Sequence, residues 1–102
     1  MPVLTLELRQ TGKFADWFRD LRDRRAVERI AQRLARVQSG LFGDVKPVGG
    51  GVSELRIDYG PGYRVYFTRR RSTVILLLCG GDKSSQEADI EAAKAMAKEI
   101  AE

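Results

Sequence analysis

Residues 52–83 read VSELRIDYGPGYRVYFTRRRSTVILLLCGGDK, and this run decides the architecture. Leu55, Ile57 and Tyr59 alternate with Glu54, Arg56 and Asp58, the period of a strand with one buried face. Gly60-Pro61-Gly62 is a turn cluster, because glycine tolerates positive φ and proline fixes φ. Alternation resumes with Tyr63, Val65 and Phe67 against Arg64, Tyr66 and Thr68. A second turn over Arg69–Ser72 leads into the apolar run Thr73–Cys79, too short for a membrane span and too uniform for a half-exposed strand. It reads as a buried, central strand, and the whole as a three-stranded meander. Glu54, Arg56, Arg64 and Tyr66 then share the face opposite the tyrosine–valine–leucine face. Two arginines, a carboxylate and a phenol on adjacent strands make a polar patch of phosphate size.

Working outward, residues 3–8 alternate leucines with Val3, Thr5 and Glu7 and predict a first strand. Thr11 suits the cap of a helix whose Phe14, Trp17, Phe18 and Leu21 form one apolar stripe, read as core. A second helix is expected over Arg24–Ser39, with Val27, Ile30, Ala31, Leu34 and Val37 inward and Gly40 as its stop. Arg25, Arg29, Arg33 and Arg36 line another face of it, as a nucleic-acid grip or as a solvated surface. The link between the helices is short, so they should form a hairpin on the sheet. Residues 41–51, LFGDVKPVGGG, form a loop or short edge strand; the spacing of a phosphate-binding P-loop is missing. Ser84 and Glu87 have the spacing of a capping box for a last helix over residues 85–101. That helix is alanine-rich, and its small apolar face docks weakly or completes its packing against a partner.

The expected fold is α+β, one domain over residues 1–102 in the order β-α-α-β-β-β-α. A mostly antiparallel sheet of four to five strands carries an N-terminal helical hairpin and a C-terminal helix, with the helices on one face.

Composition narrows the function. Net charge is +4, but residues 1–83 hold 16 Lys/Arg against 9 Asp/Glu, and residues 84–102 hold 2 against 5. Of the 18 basic residues 13 are arginine, which favours forked contacts to phosphate or carboxylate. Histidine is absent, which removes the commonest general acid–base and the commonest metal ligand. Cys79 is alone, so neither a disulfide framework nor a zinc site is expected. No metal or cofactor is called for. With no membrane or leader segment visible, a cytoplasmic setting and no membrane partner are expected.

The succession Gly51–Phe67, Ile75–Lys83 and Gln86–Ala92 resembles the RelE/ParE toxin superfamily. Its branch of HigB-like and phage Gp49-like addiction-module killer proteins is the nearest in pattern. The resemblance rests on Glu54-Leu55-Arg56, Gly62-Tyr63-Arg64 and Gly80-Gly81-Asp82-Lys83 in combination, and spans essentially the whole chain. It implies a toxin of a type II toxin–antitoxin system, acting as an mRNA interferase that cuts mRNA on the ribosome and so inhibits translation. It implies as partner a cognate helix-turn-helix antitoxin, and operator DNA indirectly through that antitoxin. ParE-like relatives instead poison DNA gyrase, and an inactive toxin-derived subunit of a repressor complex is a further alternative. Carried over by position, the basic sheet face falls on Arg56 and Arg64, the loop lysine on Lys46, and the residue after the last strand on Lys83. Relatives that place histidine or tyrosine near the chain's end have no counterpart here after Lys83.

Cleavage through the ribose 2′-hydroxyl needs a base, stabilisation of the phosphorane charge, and an acid. Arg56 and Arg64 suit the charge. Glu54 or Lys46 is the expected base and Lys83 the acid, with Tyr66 as an alternative that stacks on a nucleobase. The competing reading is a cross-strand ion network of Glu54, Arg56 and Arg64 with no catalytic part.

Overall fold

A computed structural model describes residues 5–100. Strand β1 (Glu7–Gln10) leads to helices α1 (Gly12–Arg19) and α2 (Arg24–Gln38). Strands β2 (Val45–Gly49), β3 (Val52–Ile57), β4 (Tyr63–Arg70) and β5 (Val74–Gly81) follow, then one 3-10 turn (Lys83–Ser85) and helix α3 (Gln86–Ile100). The five strands form one sheet in the order β1-β5-β4-β3-β2. Only β1 with β5 is parallel; the other pairs are antiparallel. The first strand is therefore later than the leucine alternation suggested, and residues 3 and 4 of that expectation lie outside the described residues.

Local chemistry sets the helix starts. The Thr11 hydroxyl accepts from the Phe14 amide at 3.1 Å and donates to the Leu78 carbonyl at 2.7 Å, so one side chain caps α1 and ties it to β5. Asp23 caps α2, accepting from the Arg25 and Ala26 amides. Phe14, Ile30, Leu34 and Val37 of this hairpin pack on Leu55, Ile57, Val65, Phe67, Ile75 and Leu77.

Helix α3 lies on the opposite face, which corrects the expectation of helices on one side. Ala93 and Ala97 are buried there with Val52, Tyr66, Leu78 and Cys79. The uninterrupted apolar character of β5 requires this, since both of its faces must be covered. A bulge helps: Tyr66 pairs with Cys79 and Phe67 with Leu77, so Leu78 is the extra residue. Leu78 and Cys79 consequently enter the same cluster.

The two glycines ending β5 receive one helix each. A Cβ on Gly80 would stand 2.4 Å from the Trp17 ring of α1, and one on Gly81 would overlap Asp89 of α3. Asp89 is already held there by the Ser85 hydroxyl at 2.5 Å.

Burial pushes the Cys79 thiol up to about 11. The folded state thus favours the protonated thiol, and this contribution to stability is full below about pH 9 and lost as the pH rises towards 11. Iodoacetamide at pH 8 is expected to label Cys79 only at the rate of unfolding; rapid labelling of the native protein would contradict that burial.

Candidate functional site

The site grows out of one end of the β3–β4 ladder. Arg56 and Arg64 are cross-strand partners, and Gly81 continues the row onto β5. Gly60 and Gly62 both adopt positive φ, 57° and 81°, so the intervening turn folds tightly beyond the arginines. The Lys83 amide reaches the Pro61 carbonyl at 3.4 Å, which draws the start of the α3 segment against that turn. Asp82 caps the 3-10 turn, with Ser85 completing the box; the Ser84/Glu87 box is not the one used. The result is an open cleft of about 370 Å³ lined by Arg56, Arg64 and Lys83, with Asp44 and Asp58 on its walls.

The next row, Glu54 with Tyr66 and Cys79, lies beneath α3. Glu54 is 1% exposed. Its Oε2 accepts from the Tyr66 hydroxyl at 3.1 Å and from Gln86 Nε2 at 2.8 Å. Arg64 Nε stands 3.9 Å from Oε2, and Arg56 Nε 3.8 Å from Oε1. These are ion pairs beyond hydrogen-bond length, and both Nε atoms are buried without a hydrogen-bond partner among the described residues. The carboxylate therefore neutralises the arginines without saturating them. Burial, with the Glu54 charge beside it, raises the Tyr66 phenol and keeps it a donor.

This geometry bears on two expectations. Glu54, expected as a base, is enclosed with its carboxylate already engaged by Tyr66 and Gln86. Tyr66 is fully buried and presents no ring for base stacking. Both sit where the alternation placed them; α3 covers them because it docks on that face. Arg56, Arg64 and Lys83 do come together. Lys46 is exposed on β2, opposite Glu54 and one row from the cleft.

The arginine stripe of α2 divides. Arg33 turns inward, its guanidinium donating to the carbonyls of Arg56, Phe42 (3.0 Å) and Asp44 (3.3 Å), and so sets the approach to β2. Desolvation lowers its pKa. Arg29 lies 4.8 Å over the Tyr59 ring, and Arg25 and Arg36 stay at the surface. Sequence reasoning missed Gln86 and Asp44 as members of the site. Gln86 stood in the recognised pattern without a role, and nothing around Asp44 marked it.

Among the described residues no group of three or more His, Cys, Asp or Glu could hold a metal ion, and no helix is long and apolar enough to cross a membrane. The family model described as phage derived protein Gp49-like matches residues 16–101. The chain belongs to the Gp49-like family. An uncharacterised protein of Haemophilus influenzae is 45% identical to this Gp49-like chain over 97 residues, covering 95% of it and 98% of the relative. The fold of this chain is similar to that of the toxin RelE of E. coli, solved in the free state as a mutant with two arginines replaced by alanine. That match has a TM-score of 0.72 at 15% identity, over 94% of this chain and 98% of the other. Family and fold are thus Gp49-like and similar to a RelE toxin, respectively.

Proposed function

We propose that this Gp49-like toxin is an mRNA endoribonuclease that acts on the ribosome, with a helix-turn-helix antitoxin as its neutralising partner. One observation carries the reading: Arg56, Arg64 and Lys83 converge on one open cleft, with the Glu54 carboxylate behind the two arginines at 3.8–3.9 Å and not hydrogen-bonded to them. A phosphate oxygen is the acceptor that guanidinium forks fit best.

In the proposed reaction the ribose 2′-oxygen bonds to the adjacent phosphorus as the bond from phosphorus to the 5′-oxygen breaks. Arg56 and Arg64 hold the non-bridging oxygens as negative charge builds on them. Lys83, on the cleft wall, gives its proton to the departing 5′-oxygen. Lys46 takes the proton from the 2′-hydroxyl; Glu54 is spared for holding the arginines. The chain's own acid–base equipment is modest, which suits an enzyme whose substrate is oriented by the ribosome.

Cell-free translation with primer extension on the mRNA tests this. The wild-type protein should give cuts that require the ribosome, and Arg64→Ala should reduce them about 10²–10³-fold while its thermal unfolding stays cooperative. Undiminished cutting by the variant would remove the cleft from the mechanism. Intact mRNA with normal translation would refute the nuclease and direct attention to gyrase supercoiling.

A further inference from the structure

A second concavity lies at the other end of the sheet. Arg64 and Arg70 mark the two ends of β4, so the concavity and the cleft are roughly 20 Å apart at about 3.3 Å per residue. This groove, about 910 Å³, is lined by the aliphatic Val74, Leu76 and Ile100 together with Arg9, Arg70 and Arg71. Its lining is partly aliphatic because α3, with its small alanine face, leaves Leu76 and Ile100 only partly buried.

Three features of the groove ask for an occupant. Arg70 Nη2 is buried with no hydrogen-bond partner among the described residues. Among the described residues Arg9 pairs with Glu7 alone, in an exposed pair of little worth. Arg71 and Ser72 hold φ of 52° and 62° at the tip of the β4–β5 hairpin, a conformation that glycine or asparagine adopts far more readily. Backbone strain of this kind persists where the residue's placement matters more than its ease.

We infer that this groove docks an acidic amphipathic polypeptide segment, its apolar side chains on Val74, Leu76 and Ile100 and its carboxylates on Arg9, Arg70 and Arg71. The inference deepens the partner half of the proposed function and rests on that reading, but it is independent of the nuclease chemistry. Charge complementarity selects this occupant. RNA is the poorer fit, since this lining offers no aromatic ring on which a base can stack. A second copy related by two-fold symmetry would set the same arginines against one another.

The probe is a fluorescent synthetic peptide of about 18 residues, five helical turns, with leucines at helical spacing and glutamates elsewhere. Its anisotropy is titrated with the full chain, and hydrogen exchange maps the footprint. Binding should protect the amides of Val74–Leu76 and Ile100. Arg9→Glu with Arg70→Glu should weaken it about a hundredfold, the effect of placing like charges in contact. Arg71→Gly should raise the melting temperature by relieving the turn yet weaken the peptide, two changes of opposite sense that a merely structural arginine would not produce.

A peptide with lysine in place of glutamate should not bind. The proposal is overturned if the acidic peptide binds both variants as it binds wild type, or if its footprint lies elsewhere. It is equally overturned if a single-stranded oligouridine protects the groove in its place, or if sedimentation shows a dimer that these substitutions dissolve. None of these readouts involves cleavage, so failure of the nuclease reading is recognised separately.

Discussion

Gly80→Ala is expected to destabilise the protein by about 2–3 kcal/mol, the upper part of the range for forcing extra volume into a packed site. The backbone of Gly80 is not in the left-handed region, so the effect is one of space alone. The added methyl would meet ring carbons of Trp17 at 2.4 Å. That ring cannot simply slide, because it packs against Phe14 at 5.7 Å and Tyr63 at 6.4 Å between centroids. In a domain of this size each kcal/mol moves the melting temperature by about 4–8 °C, so a fall of about 10–20 °C is expected by calorimetry. Trp17→Leu in the same chain should recover part of it. A melting temperature within about 3 °C of wild type would mean that α1 rides on β5 more loosely than the contacts indicate.

Glu54→Ala has the second large effect, about 3 kcal/mol in urea unfolding, the low end of the cost of breaking a buried ion pair. The low end applies because Arg56 is 38% exposed and water relieves its charge, whereas Arg64 at 9% is not relieved. The same change strips acceptors from the Tyr66 hydroxyl and from Gln86, loosening the first turn of α3. Glu54→Gln should cost less, since an amide oxygen still accepts one of these bonds. A base would be lost equally in both variants. A cleavage defect that tracks stability, larger for alanine than for glutamine, is therefore the signature of a holding role. Equal, complete loss in two well-folded variants would restore Glu54 as the base.

Much of this molecule was legible because its local signals agree with one another. The alternation through Leu55, Ile57, Val65 and Phe67 fixed which face meets the helical hairpin, and register follows from it. The same alternation grouped Glu54, Arg56, Arg64 and Tyr66 correctly. What the strand pattern left open was what lies over that face, because period two reports sidedness and not exposure. The run Val74–Cys79 held the missing information, as an apolar strand with no polar side needs cover on both. Alanine obscured it: Ala93 and Ala97 form a face too small to read as core, yet small residues are what let α3 approach the sheet closely. Gln86 and Asp44 were illegible for a different reason. Each acts through contacts far away in sequence, Gln86 with Glu54 and Asp44 with Arg33 and Arg56, and no local spacing encodes that.

The bond from Gln86 to Glu54 also orders the molecule in time. Synthesis proceeds from the N-terminus, so the sheet and its arginines emerge before α3, the last of the described elements. Until those fifteen residues dock, Glu54, Tyr66 and Cys79 face water, and the counter-charge of the cleft lacks one of its two hydrogen bonds. The nascent chain thus carries an unfinished cleft, completed only after the stretch that seats its carboxylate has left the machinery that made it.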